Sequence, residues 1–426
     1  MMMFLIFIAM VAMICINVPI AVALAMAGVI GLLLNEGTGS LVNIALDMYN
    51  GSTKFSLIAI PMFVLAGAIM NAGGITDRLI NFVSAIIGFI RGGLAMVNIG
   101  VSLFFAEISG SAVADVAAMG SILIPQMKKR GYSKELSAAV TSSSASLAII
   151  IPPSIPMILY AASSNTSVEQ LFVAGVVPGL LGAGGLMIVA YIFARRYDLP
   201  TEEAFNMPRL RETFMDALPA FALPVIILGG IFGGFVTATE AAGLAVIAAI
   251  VVAAWYRNVD FKHLRQAMLD GGIQTAVVML LVAASVLIGG FLTRAQIPQQ
   301  MASAILEITQ QQWAILLILN VFFLVVGFFL HSAAAIILVV PIVIPLVTAA
   351  GIDPVHFGLV VTLNLAIGQQ TPPVASVLIT ACSVARANIW EVSKVNIWFV
   401  GVLLFVLFLC TYVPAVPLFL VEYFYR

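Results

Sequence analysis

Four short polar clusters interrupt a chain that is otherwise almost continuously apolar. They are Ser109-Gly110-Ser111, Ser142-Ser143-Ser144 with Ser146, His331-Ser332, and the run from Asn364 to Thr371. Hydroxyls, side-chain amides and main-chain carbonyls freed by a helix break are hard oxygen ligands. They suit sodium, which needs no carboxylate in its shell. The clusters divide into two candidate sodium sites. The first draws on Ser109, Gly110, Ser111, Ser142 and Ser146 with the carbonyls before Pro152, the second on Ser332, Asn364, Gly368 and Thr371. A substrate between them would meet Ser111, Ser144, His331, Ser332 and Thr371. Helices that begin after these breaks present partial positive charge, which favours an anionic substrate. A plainer reading is that Ser, Thr and Gly only let helices pack closely. Four such clusters, two of them beside Pro-Pro pairs, favour the ion sites.

The ionisable residues narrow the chemistry. Glu107 and Asp115 are the only acids between Arg91 and Lys128. An intramembrane acid is a functional candidate by default, and the alternative is that Glu107 only orients the tip through backbone donors. His331 reads either as a pH-sensitive or substrate-contacting group or as a hydrogen-bonded structural one. So few buried ionisable groups favour sodium over proton coupling. No nucleotide loop, HExxH or GxSxG elbow occurs, so neither primary pumping nor enzymatic hydrolysis is supported, and no organic cofactor is implied. Cys15, Cys382 and Cys410 lie in apolar segments without CxxC spacing.

The elements that hold these clusters must lie in a bilayer. Of 426 residues, 62% are hydrophobic and only 9% charged, against about 25% charged in a soluble domain. The apolar runs are continuous, so they predict helices and not barrel strands. A net charge of -1 gives no reason to expect nucleic acid. Residues 4 to 34 read as one tilted span or two short ones about Pro19, followed by a polar loop to Lys54. The start lacks a basic leader and reads as a mature membrane segment. Short amphipathic helices are expected at 75–90 and 297–310, and spans at 217–236 and 395–421 among others.

Two stretches match at a constant offset. Ile124-Pro125, Gly131 and Pro152-Pro153 correspond to Ile344-Pro345, Gly351 and Pro372-Pro373. Matches concentrated in Pro and Gly mark equivalent backbone breaks. Lys128, Lys129, Arg130 and Lys134 make the first loop cytoplasmic, whereas 350–355 carries no basic residue. Equivalent loops on opposite sides predict inverted-topology repeats. The predicted fold is therefore an all-α polytopic membrane protein, each repeat holding a re-entrant hairpin and a broken helix. The expected division is 1–54 as an N-terminal scaffold segment, 55–195 as repeat one with hairpin 92–127, 196–270 as linker and scaffold, and 271–426 as repeat two with hairpin 312–349. Arms of about 15 residues, roughly 22 Å, suit tips that stop inside the membrane.

Three segments resemble the large membrane subunit of tripartite ATP-independent periplasmic (TRAP) transporters. They are SGSAVADVAAMGSILIPQMKKRGY at 109–132, SSSASLAIIIPPSIPMILYA at 142–161, and GIDPVHFGLVVTLNLAIGQQTPP at 351–373. The resemblance implies an elevator-type carrier in the bacterial inner membrane. It implies sodium-driven uptake of an organic acid handed over by a periplasmic substrate-binding protein, and a small four-helix membrane partner. His331 stands where the family often has an acid, ten residues before Pro341, so no ligand role is carried over there. The GSAVAD tip is more like members that handle sugar acids, such as sialic acid, than dicarboxylate members. The alternatives are a stand-alone sodium/carboxylate symporter and, from another class, a channel or a non-transporting assembly protein.

Overall fold

Proline and glycine decide where the helices of this chain stop, and they do so twice at the same spacing. The computed structural model describes residues 2–16, 18–202, 204–256 and 261–425. Among them all regular structure is helical, and eight helices are long and apolar enough to cross a membrane. The first hairpin comprises Gly93–Ser109 and Ala112–Lys129, the second Gln312–Phe329 and Ser332–Ala349. The second arms begin at 112 and 332 and end at 129 and 349, so both ends are 220 residues apart. Each hairpin leads into a broken helix. The first runs Lys134–Ala145, a 3-10 turn Ser146–Ile149, then Ile155–Ser164; the second runs Pro354–Gly368, then Ser376–Ala385.

Local chemistry accounts for the breaks. Pro152 and Pro153 supply no N–H to continue the first helix. Ser154 then caps the next one, its hydroxyl accepting from Met157 N, with Pro156 in the first turn. The turns between hairpin and broken helix need φ near +88° at Gly131 and +68° at Gly351, a conformation that glycine adopts without strain.

Ion pairs and long hydrogen bonds sort the loops onto two faces. On the basic face Arg130 pairs with Glu202 at 3.0 Å and Arg78 with Asp216 at 3.2 Å, and Lys128 Nζ donates to the Ala385 carbonyl at 3.2 Å. On the other face Lys54 Nζ donates to Ala162 O at 2.6 Å, Tyr160 Oη to Pro354 O at 2.7 Å, and Gln312 Nε2 to Ala350 O at 3.0 Å. Exposed pairs add little stability, and their use here is to locate the loops. Val168–Arg196, 29 residues and about 43 Å, runs from one face to the other. The broken helices therefore run in opposite directions, and the repeats are inverted. A cysteine at Gly131 is expected to react with an impermeant maleimide only from the cytoplasmic side, and one at Gly351 only from the opposite side. Labelling of both from one side contradicts this topology.

Several expected boundaries change. Of the two alternatives for residues 4 to 34 the two-helix one holds, with Met2–Cys15 and Ile20–Glu36 packed on each other. The second lies close on Phe261–Arg294, where a Cβ on Gly28 would sit 2.6 Å from Ile288 N. The segment expected to be a polar loop holds an amphipathic helix, Leu41–Ser52, because Asn43, Asp47 and Asn50 leave an apolar face at helical spacing. A span at 217–236 becomes a helical path over 207–232, with Pro219 and Pro224 distorting it into 3-10 and π turns. The C-terminal span divides at Pro414 into Ile389–Tyr412 and Ala415–Tyr425. The hairpin arms have 17 or 18 residues, about 26 Å, and so reach deeper than 15-residue arms would.

Candidate functional site

Both hairpin tips and both helix breaks meet at one small cavity. The first tip turns at Gly110, φ +58°, followed by extended Ser111; the second is extended Leu330 and His331. The cavity, ≈ 30 Å³, is lined by Gly110 and Ser111, His331 and Ser332, and by Ile149 and Gln369 from the two breaks. A Cβ on Gly110 would lie 3.0 Å from Pro153 O and 3.2 Å from Ile155 N, so this tip rests directly on the first break. Ala112, Ile155 and Ser332, which also line the cavity, are the first residues of their helices. Three helix N-termini thus turn their partial positive charge toward one point, as an anion requires. The cavity's volume is more than the about 10–15 Å³ that one water needs, room for an ion or one end of a carboxylate.

Behind the cavity, buried polar networks pin each hairpin to its broken helix. Asn98, on the first arm, donates to Thr141 Oγ1 at 2.7 Å and accepts from Ser144 Oγ at 3.1 Å, while Ser102 Oγ donates to Ser144 Oγ at 2.9 Å. In the other repeat Asn364 Nδ2 donates to Asn320 Oδ1 at 2.7 Å, and Asn320 Nδ2 to Thr411 Oγ1 at 3.1 Å. Ser144 and Asn364 occupy equivalent positions, 220 apart. A third network ties the repeats together. Ser143 Oγ lies 2.8 Å from both Gln370 Oε1 and Asn396 Oδ1, and Asn396 Nδ2 donates to Gln370 O at 3.2 Å. In such surroundings a satisfied network fixes geometry, and an unsatisfied group is costly.

Of the residues singled out in the sequence, Gly110, Ser111, His331 and Ser332 come together at the cavity. Ser142, Ser144 and Ser146 are wholly buried and do not line it. Ser142 Oγ makes only a long contact to Ala139 O, 3.3 Å, and Ser146 Oγ donates to Ser142 O at 3.1 Å. Ser144, expected at the substrate, instead belongs to the Asn98 network, because a hydroxyl on that face of the helix points to the hairpin arm. Thr371 Oγ1 donates to Ile367 O at 3.0 Å. Gly368 brings backbone against backbone, since a Cβ there would lie 2.6 Å from Gly327 Cα. Asn364 Oδ1 is buried and has no hydrogen-bond partner, an acceptor available to a cation. Asp115 is fully buried in the first turn of its helix, where the helix dipole favours negative charge. The side chains of Glu107 and Ser109 lie outside the described residues. Gln369 and Gln370 lie in the run Asn364 to Thr371 but were not singled out within it, and Asn98, Asn320 and Asn396 lay outside the expected clusters. The two glutamines had a signal, since they directly precede Thr371-Pro372-Pro373; the lone asparagines in apolar arms had a weaker one.

Comparison with known proteins agrees with this fold. Residues 7–416 match the model of the tripartite ATP-independent periplasmic transporter, DctM component. The chain is 38% identical to the C4-dicarboxylate TRAP transporter large permease protein DctM of Pseudomonas aeruginosa, over 93% of each. It is 37% identical to the isethionate TRAP transporter permease protein DctMQ of Oleidesulfovibrio alaskensis, over 95% of this chain and 64% of that protein. Relatives at 34% identity are named for 2,3-diketo-L-gulonate and sialic acid. Among solved structures the YdaH transporter of Alcanivorax borkumensis superposes with a TM-score of 0.66 at 14% identity, covering 89% of each chain, a likeness of fold alone. A multi-pass helical protein with inverted hairpins, matched almost end to end by permease sequences, is a transporter subunit and not an enzyme, and this chain belongs to the DctM family of TRAP transporter components.

Proposed function

We propose that this chain carries an anionic organic acid across the bacterial inner membrane in symport with sodium, by an elevator movement. The observation that carries this reading is the meeting of both tips and both breaks at one cavity, with three helix N-termini directed at it. The two hairpins and broken helices form the moving body. Residues 1–54, the segment 196–270 and the remaining long helices form the scaffold, so that repeat one is 55–195 and repeat two 271–426. Sodium occupies about two sites. One is built on Ser109, Gly110, Ser111, Ser142, Ser146 and the carbonyls before Pro152, the other on Ser332, Asn364, Gly368 and Thr371. Support for the second comes from the unpartnered Asn364 Oδ1. The cargo's acid group sits between Ser111, His331 and Ser332.

The acid arrives from a periplasmic binding protein, and a small membrane subunit braces the scaffold. The tripartite description of the family supports both partners, and a relative whose name joins M and Q supports the membrane one. Isethionate, C4-dicarboxylates, 2,3-diketo-L-gulonate and sialic acid, named for relatives, are all anions at neutral pH. Within that class the GSAVAD tip favours a sugar acid. Sodium titration of uptake tests the first ion site. Ser109→Ala and Ser142→Ala keep packing volume but remove an oxygen, and a packing hydroxyl would lose only about 1 kcal/mol of stability. The expected result is an apparent sodium affinity lower by on the order of tenfold, for roughly 1.4 kcal/mol of lost binding. The control Ser163→Ala lies at the far end of Ile155–Ser164 from the cavity. Sodium curves that overlay this control would make both serines packing residues.

A further inference from the structure

Helix Phe261–Arg294 carries Gln266, Asp270 and Gln274 four residues apart, on one face. Gln266 Nε2 donates to Asp270 Oδ1 at 2.9 Å. An amide or carboxylate turned toward lipid is costly, and this stripe does not face lipid. It lines a cleft of ≈ 380 Å³, whose opposite walls include Asn71 of Ala59–Ala72 and Ala114 and Ala118 of the first hairpin. The cleft lies toward the basic face, since Asn71 Oδ1 accepts from Thr76 and nearby Arg78 pairs with Asp216. Gln274 lines both this cleft and the cavity between the tips.

Alanines on the hairpin leave room, and the cleft is within the range of small-ligand pockets, about 300–1,000 Å³.

We propose that this cleft is the route by which the acid reaches the cytoplasm, and that Gln274 is a specificity-determining residue supplied by the scaffold. Its amide both donates and accepts, so it meets carboxylate and hydroxyl oxygens as they leave the tips. This inference rests on the transport reading above.

Two measurements separate the two claims. In full-length protein with its membrane partner and with Cys15, Cys382 and Cys410 replaced, a membrane-impermeant maleimide is applied to inside-out vesicles. Gln274→Cys and Ala118→Cys are expected to label, and Val277→Cys, exposed on the same helix away from the cleft, is not. Labelling of Gln266→Cys without Gln274→Cys, or equal labelling of Val277→Cys, overturns the route whether or not any acid is transported. In proteoliposomes tested with a C4-dicarboxylate, isethionate and a sugar acid, Gln274→Leu is expected to raise KM at least fivefold for the acid taken up. Its sodium dependence should be unchanged, and Gln274→Asn should recover most of the loss. An unchanged KM in Gln274→Leu overturns the specificity role. Failure of all three acids in the unaltered protein, with labelling as expected, overturns the transport reading and the acid route with it, and leaves the cleft only as a water-filled path from the cytoplasm to Gln274.

Discussion

Replacing Gly368 by alanine is expected to lower uptake more than tenfold and to destabilise the protein. The added Cβ would lie 2.6 Å from Gly327 Cα and from Gly327 C, main-chain atoms that cannot rotate away. Carbon atoms pack at about 3.5–4.0 Å, so the arm Gln312–Phe329 must retreat by about 1 Å. That arm ends one residue before Leu330 and His331, so the retreat moves the second tip. Overpacking of this kind costs about 1–3 kcal/mol. The loss of transport should exceed what that destabilisation explains, because the tip geometry builds the site. Gly401→Ala is the control, with nothing within 4 Å of its Cβ, and should be tolerated. Thermal unfolding and uptake measured on both variants check the expectation. Wild-type behaviour of Gly368→Ala would mean that the hairpin is not held against the broken helix.

Asn364→Leu should remove much of the stabilisation that sodium gives. Binding at one site with sodium at 100 times its dissociation constant stabilises a protein by about 2.7 kcal/mol. Asn364 Nδ2 holds Asn320 Oδ1 at 2.7 Å and Val360 O at 2.8 Å, which leaves its buried oxygen for the ion. The single change also strands Asn320 Oδ1, so Asn320→Leu with Asn364→Leu is the cleaner variant. Removing both hydrogen-bond partners together can be nearly neutral for packing. Without sodium the double variant is expected to melt near the wild type, and with sodium to gain clearly less. If sodium raises the melting temperature of the double variant as much as that of the wild type, Asn364 is not a ligand.

The parts of the fold that were legible from sequence are those set by residues with one backbone use. Pro152-Pro153 and Pro372-Pro373, with Gly131 and Gly351, located the breaks and turns of both repeats. Lys128 to Lys134 gave the expected orientation, and the Arg130–Glu202 pair places that loop on the same face as the linker after Arg196. Helix Leu41–Ser52 was missed because polar residues at helical spacing look like a loop when counted by composition alone. The tips were found as polar breaks, yet which hydroxyl faces the cavity depends on packing between distant segments. Ser144 shows this, since Asn98 and Ser102, more than 40 residues away, draw it from the site. Gln274 stayed invisible because its importance comes from what the hairpin leaves open opposite it.

Sodium coupling is the central claim, and gradient-driven uptake tests it most directly. The protein with its membrane partner is reconstituted in proteoliposomes, the acid is supplied on its binding protein, and each ion gradient is imposed alone. The account predicts accumulation under an inward sodium gradient and none under a proton gradient in potassium buffer. Full uptake in sodium-free potassium buffer driven by protons would contradict it.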